Sequence, residues 1–214
     1  MKTLQTTKVN YLGYWLKLFL GDFLTVTRNM SHNTQMSYRD TFRMLVTFVS
    51  GKTNIAIDKP SINDISKEIV LTFLDEYIEK TRNASVSSRN QRLTAIKSFA
   101  KFIAWKCPDY IDWFHQIRLI PLKKTMQRQI TYMDREEMEA LTKAPLINRN
   151  HMYAERDYII ILLMYNTGAR VSEVINIHVG DIVMPKKRGM GIVTLHGNGR
   201  HYRTSTLWVE LRDV

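Results

Sequence analysis

Apolar residues recur along the first half of the chain with the period of an α-helix. In His32–Ser50, Tyr38, Phe42, Leu45 and Val49 fall at i, i+4, i+7 and i+11, one stripe on a helix of 3.6 residues per turn. Gly51 follows the last of them, so the helix is expected to stop there. Asp64–Lys80 opens with an N-cap candidate and places Ile65, Ile69, Phe73 and Tyr77 at near-helical spacing. Ser85–Cys107 predicts a longer helix with Leu93, Ile96, Ala100 and Ile103 on its core side. Asn90, Thr94, Lys97 and Lys101 make the opposite, polar stripe, which suits either a solvated face or a phosphate backbone. The earlier stretch Val9–Leu24 is rich in Tyr, Trp, Leu and Phe, but Lys17 and Asp22 interrupt it and no small-residue cleavage pattern follows. It reads as an amphipathic helix rather than a signal peptide.

The pattern changes in the second half. Asp134–Lys143 has a capping residue, acids in its first turn and a lysine in its last, as a helix requires. His151–Tyr165 predicts another helix, whose terminal run Tyr158–Tyr165 is apolar enough to be deeply buried. Asn166-Thr167-Gly168 breaks it, and Arg170–Ile177 reads as a short helix with Val171, Val174 and Ile175 inward. Beyond Gly180-Asp181 the β-branched content rises. Gly191–His196 and Arg203–Trp208 read as two strands around the turn Gly197-Asn198-Gly199-Arg200. Between Asp112 and Asp134 there is no acidic residue, while Arg118, Lys123, Lys124 and Arg128 are basic and Pro121 sits in the middle. That segment reads as an extended basic linker. The expected organisation is a helical domain over residues 8–112, a linker over 113–130 and a smaller α+β unit with a β-hairpin over 131–214: a mainly α chain.

Composition narrows the partners. The 214 residues carry 31 Lys plus Arg against 20 Asp plus Glu, a net charge of +11, and 44% are hydrophobic, as in a globular protein. The excess points to a polyanion, nucleic acid being the commonest inside a cell. Arg39 and Arg43 lie four apart and off the apolar stripe of their helix, facing solvent or a ligand. The lone Cys107 cannot form an internal disulfide, which suits a reducing, cytoplasmic compartment. No apolar run approaches the roughly 20 residues of a membrane helix. No His, Cys, Asp or Glu spacing reads as a metal site, and no Gly-rich loop opens a helix as a nucleotide cradle does.

Arg170 stands out on local chemistry. It follows an apolar helix and a glycine turn and begins the next helix, where a cation opposes the helix dipole. Two readings fit. Arg170 pairs with Glu173 one turn on, or it joins free N–H groups in binding an anion.

Four segments together resemble one family. Thr167-Gly168-Ala169-Arg170-Val171-Ser172-Glu173-Val174 is similar to the T-G-x-R-x-S-E box of the tyrosine recombinases, the phage-integrase family. Asn33-Thr34 with Tyr38, followed by Phe42 and Phe48, resembles that family's SAM-like core-binding helices. Ser85-Val-Ser-Ser-Arg89-Asn-Gln-Arg92-Leu with Ala95-Ile-Lys-Ser-Phe99 resembles the fourth of them, and Gly197-Asn198-Gly199-Arg200-His201-Tyr202-Arg203 resembles the hairpin G-K-G-x-K-x-R.

The resemblance implies a two-domain clamp on double-stranded DNA, with a tyrosine that attacks a phosphodiester to give a 3′-phosphotyrosine without metal or nucleotide cofactor. It makes Arg170 the first catalytic arginine and Glu173 its support. Arg39, Arg43, Arg89, Arg92, Lys97, Lys101, Lys123, Lys124, Arg200 and Arg203 become the expected DNA contacts. Two departures matter. Asn198 stands where the family has its catalytic lysine, and an amide is no useful general acid; Arg200, nearby, is too basic to donate the proton. The H-x-x-R box and the tyrosine nucleophile would follow the hairpin, whereas this sequence stops at Val214. His115-Gln-Ile-Arg118 spells H-x-x-R but precedes Arg170 and is set aside. The expectation is therefore a C-terminally incomplete recombinase, inactive alone. The alternative is a non-catalytic DNA-binding protein that regulates full-length recombinases.

Overall fold

The computed structural model describes residues 11–126, 129–147, 152–185, 189–197 and 201–212. The chain divides into two units, residues 1–127 and 128–214.

The first unit is helical. α1 (Leu12–Lys17) runs on into wider, π-type turns over Leu18–Thr27, and α2 spans His32–Thr53. α3 (Lys67–Thr72) continues in the same wide fashion over Phe73–Thr81, followed by α4 (Val86–Lys106) and α5 (Ile111–Arg118). Serine hydroxyls start three of these helices: Ser31, Ser66 and Ser85 each accept from the N–H three residues on. The predicted stripes are the core. Phe42, Leu45 and Val49 of α2 and Leu93, Ile96, Ala100 and Ile103 of α4 are all buried, around an aromatic cluster in which Phe99 lies 4.9 Å from Phe42 and 5.3 Å from Phe19. Each such phenylalanine stabilises the unit by about 1.5–3 kcal/mol through burial alone.

Three expectations are corrected here. Gly51 does not stop α2: the helix runs to Thr53 and ends at Asn54, whose left-handed φ of 54° breaks the hydrogen-bond ladder. Asp64 does not cap α3; its carboxylate accepts from the N–H and hydroxyl of Ser61, and Ser66 is the cap. The linker starts later than residue 113. Residues 113–118 lie in α5, Ile117 and Ile120 are fully buried in the first unit's core, and Trp113 donates its indole N–H to Ile65 O at 2.7 Å. A missing acidic residue marks charge, whereas the four apolar side chains of Trp113, Phe114, Ile117 and Ile120 decide where the segment packs.

The second unit contains α6 (Arg135–Ile147), α7 (Ala154–Thr167), a single turn α8 (Val171–Val174), three antiparallel strands and α9 (Val209–Arg212). The strands are β1 (Ile182–Val183), β2 (Gly191–His196) and β3 (Tyr202–Leu207), with Gly191 paired to Leu207 and His196 to Tyr202. Asp134 and Glu137 make the reciprocal N-terminal cap of α6, each carboxylate accepting from the other's N–H. The core is small: Val193, Leu195 and Leu207 from the hairpin meet Ala169 and Val174, with Ile160, Leu163 and Met164 of α7 against them. The apolar run of α7 is therefore half-exposed rather than deeply buried, because only one side of that helix meets the sheet. Tyr165 is 47% exposed and sits edge-on to Trp208 at 5.3 Å. α8 is also shorter than expected, and Val171 and Ile175 face out while Val174 alone turns in. Among the described residues, no helix is long and apolar enough to cross a membrane.

Candidate functional site

The site grows from the turn that ends α7. Thr167 closes the helix by donating its hydroxyl to Leu163 O at 2.7 Å and accepting from Ala169 N–H at 3.2 Å. Gly168 takes φ +60°, the left-handed conformation that glycine enters without steric cost. The chain then reverses, and Arg170 heads α8 with extended backbone.

Glu173, 3% exposed, is the hub. Its carboxylate accepts from Arg170 N–H at 3.0 Å, from Arg170 Nη1 at 3.0 Å and from Arg203 Nη2 at 3.0 Å. The Arg170 backbone N–H, then the Arg203 guanidinium, hold its carboxyl below the usual carboxylate range, against the opposing effect of burial. Arg203 reaches from β3 and also donates to Thr167 O at 3.0 Å and Gly168 O at 3.2 Å, satisfying carbonyls at the end of α7. Gly197 sits against the same carboxylate: a Cβ there would come within 3.5 Å of Glu173 Oε1 and 3.1 Å of His201 O.

Both local readings of Arg170 meet in this geometry. It pairs with Glu173, yet its side chain stays 75% exposed. It borders a pocket of about 390 Å³ lined by Arg170, Glu173, Gly197, His201, Tyr202 and Arg203. Two guanidiniums share one carboxylate, leaving a net positive site whose cations are oriented from behind and open in front. Such a fork is suited to oxyanions. α8 is a single turn and carries little macrodipole, so the helix dipole weighs little on Arg170.

Asn198 and Arg200 lie outside the described residues. Of the other expected contacts, Arg39, Arg43, Lys101 and Lys124 are exposed, with Arg43 loosely paired to Asp40 at 3.8 Å. Arg92 is half-buried and donates to Ser37 O and Thr41 Oγ1 of α2, both at 3.0 Å. Lys97 is half-buried too; burial first, then Arg89 and Arg118, lower its pKa.

Arg89 is corrected, and Lys123 is paired within the first unit. Arg89 is 2% exposed and donates to Asp75 Oδ1 at 3.3 Å and Pro121 O at 3.2 Å, a core role that no phosphate can share. Lys123 bridges Glu79 at 2.5 Å and Asp75 at 3.1 Å, and hydrogen bonds to these two carboxylates raise its pKa. Beside them, the Asn90 side-chain amide donates to Lys123 O at 2.7 Å and accepts from Lys123 N–H at 3.0 Å. Sequence reasoning missed this cluster, whose members are scattered over three segments.

It also missed Asp181, which accepts from His178 N–H at 2.8 Å and contacts His196 Nε2 at 2.7 Å; the first of these, then His196, lower its pKa. The capping spacing His178-x-x-Asp181 was the available signal. Among the described residues, no three His, Cys, Asp or Glu side chains are grouped to hold a metal ion.

Comparisons with known proteins bear on the family and the fold. Residues 16–106 match the family model described as phage integrase, N-terminal SAM-like domain, and residues 131–211 match that of the phage integrase family. A Sinorhizobium fredii protein described as integrase/recombinase y4rC is 30% identical over 92% of this chain and 58% of its own length. The XerH site-specific recombinase bound to palindromic difH substrate superposes with a TM-score of 0.63 at 18% identity, over 87% of this chain and 52% of that one. A lambda integrase dimer bound to a COC′ core site gives 0.63 at 14% identity, over 94% of this chain and 50% of that one. This chain thus spans about half to three-fifths of the length of those relatives. Two family models in the expected order, a shared fold and the box that builds the Arg170 site place the chain in the phage integrase family, the tyrosine recombinases.

Proposed function

We propose that this chain binds duplex DNA as part of a site-specific recombination system and that its Arg170–Glu173–Arg203 cluster receives a backbone phosphate. The carrying observation is the state of Arg170: fixed from behind by a buried carboxylate, yet 75% exposed at the mouth of a pocket. XerH and lambda integrase, which share the fold, are described as bound to a palindromic difH substrate and to a COC′ core site.

In strand cleavage, charge builds on the non-bridging oxygens of the attacked phosphate, and a pre-oriented donor lowers that barrier by about 3–4 kcal/mol. Arg170 supplies such a donor. Arg203 acts mainly through Glu173 and the end of α7, keeping that carboxylate in place. In the first unit, the exposed Arg39, Arg43, Lys101 and Lys124 are the residues we assign to the phosphate backbone. A polypeptide of these 214 residues alone is expected to bind without cleaving. Asn198 replaces the proton donor, Tyr202 lies within the hairpin, and Tyr165 is engaged with Trp208. A second reading, association with full-length recombinase protomers, is favoured by the exposed apolar faces of Tyr165, Val171 and Ile175.

The test is a gel shift with duplex DNA over a salt series. Binding should be present at low salt and weaken steeply as counterion release loses its advantage. Arg170→Ala should loosen binding at a specific site while leaving the helical circular dichroism unchanged. Absence of binding at low ionic strength sinks the proposal.

A further inference from the structure

The first unit carries a second candidate site that shares only Lys101 with the residues assigned to DNA. Where the wide helical turns of Leu18–Thr27 pass the C-terminal end of α4, two adjoining pockets of about 300 and 250 Å³ share Phe23, Thr27, Phe102 and Trp105 as walls. The aromatic surface is continuous: Phe23 lies 4.8 Å from Phe102 and 6.0 Å from Trp105. Trp105 is 64% exposed, an unusual place for the largest apolar side chain unless something covers it.

Charge surrounds this aromatic floor. Arg28 and Lys101 border one pocket, and Lys106, which sits over the Trp105 ring at 4.7 Å, borders the other. Asp22 is the one carboxylate among the lining residues. Trp15 forms a further wall, and its buried indole N–H has no hydrogen-bond partner, a state that proteins seldom leave uncorrected. Wide helical turns of this kind also recur at functional sites, because they trade regular hydrogen bonding for a displaced side-chain row.

We propose that this groove binds a small organic anion with a flat apolar body. The aromatic floor fits the body, and three cations against one carboxylate set the sign of the charge. The volume lies at the lower end of small-molecule sites, too small for a folded partner. The proposal is independent of the Arg170 site, which belongs to the other unit.

The probe is 8-anilinonaphthalene-1-sulfonate, titrated by fluorescence into the full chain, with N-phenyl-1-naphthylamine as its uncharged counterpart. The expected result is one saturable site per chain, tighter for the sulfonate than for the neutral probe. Trp105→Ala should weaken both probes by about tenfold or more, the range seen when a stacking ring is removed. Arg28→Gln and Lys106→Gln should each weaken the sulfonate about two- to five-fold and leave the neutral probe alone. These positions are exposed, so the variants keep the fold, which circular dichroism checks. Equal binding of both probes overturns the anionic ligand class. A sulfonate signal that survives Trp105→Ala unchanged places the probe elsewhere and overturns the site. Complete displacement by duplex DNA, with the salt dependence of DNA binding itself, makes the groove part of the DNA surface and also overturns it.

Discussion

Arg89→Ala separates two roles that its sequence context leaves open. Arg89 begins a helix with a basic stripe and belongs to a DNA-binding pattern, yet the fold spends it on the interior. Its guanidinium donates Nε and Nη2 to Asp75 Oδ1, both at 3.3 Å, and Nη1 to Pro121 O at 3.2 Å and Asn90 Oδ1 at 3.4 Å. Charge-assisted bonds of good geometry contribute about 1.5–3 kcal/mol each. These lie at the long end of the range, and Asp75 is 39% exposed, so its share is screened. Adding the lost packing of the stem, the substitution should cost about 2–4 kcal/mol. At about 4 °C per kcal/mol, the first unit's melting temperature should fall by roughly 8–16 °C. Arg89→Met, which keeps the stem, should recover part of the loss. DNA affinity measured well below the transition, and its slope against salt, should stay at the parent values. Arg43→Ala should instead leave stability alone and reduce the slope by about one unit. A variant Arg89→Ala that melts within a degree or two of the parent while its salt slope drops would place Arg89 on the DNA surface instead.

Three further outcomes test the second unit. The Glu173 carboxyl is held below its ordinary value, so it contributes stability above the unfolded-state pKa of about 4.3, lost as pH falls through the folded one; Trp208 emission should report acid unfolding below about pH 4, with a flatter profile in Glu173→Gln. Gly168→Ala should destabilise by about 1–2 kcal/mol in urea, because a Cβ at φ +60° meets its own carbonyl although the surrounding space is open. A chain of these residues alone, incubated with a nicked suicide substrate, should yield no DNA-linked band on a denaturing gel; a band lost on mutating one of its tyrosines would expose an unrecognised nucleophile.

What the sequence revealed was local. The stripes of α2 and α4 were legible because helical periodicity acts over a few residues, and the hairpin because Gly197 and its neighbours permit few alternatives. The Arg170–Glu173 pair was legible for the same reason, three residues being one turn. Arg203 was foreseen as a DNA contact, but not its grip on Glu173 and the end of α7, since thirty residues of chain separate the partners. Arg89 was misjudged in the same way: whether a cation faces solvent depends on Asp75 and on the carbonyl of Pro121, neither on its own helix. The half-exposure of α7 depended on how much sheet lay opposite, which periodicity does not measure.

The Asn90 clasp has a consequence for how the chain couples its two halves. By donating to Lys123 O and accepting from Lys123 N–H, the amide performs the exchange that one strand residue performs for another, so a side chain stands in as a rung of a β-ladder. Aspartate in its place would keep the acceptor and set a carboxylate against a carbonyl. Every residue held this way is subtracted from the tether between the two units. Once one half has engaged a ligand, tether length fixes the effective concentration of the other half around it. A single amide, eighty residues before Arg170 in the sequence, therefore bears on how often the second half meets what the first has already bound.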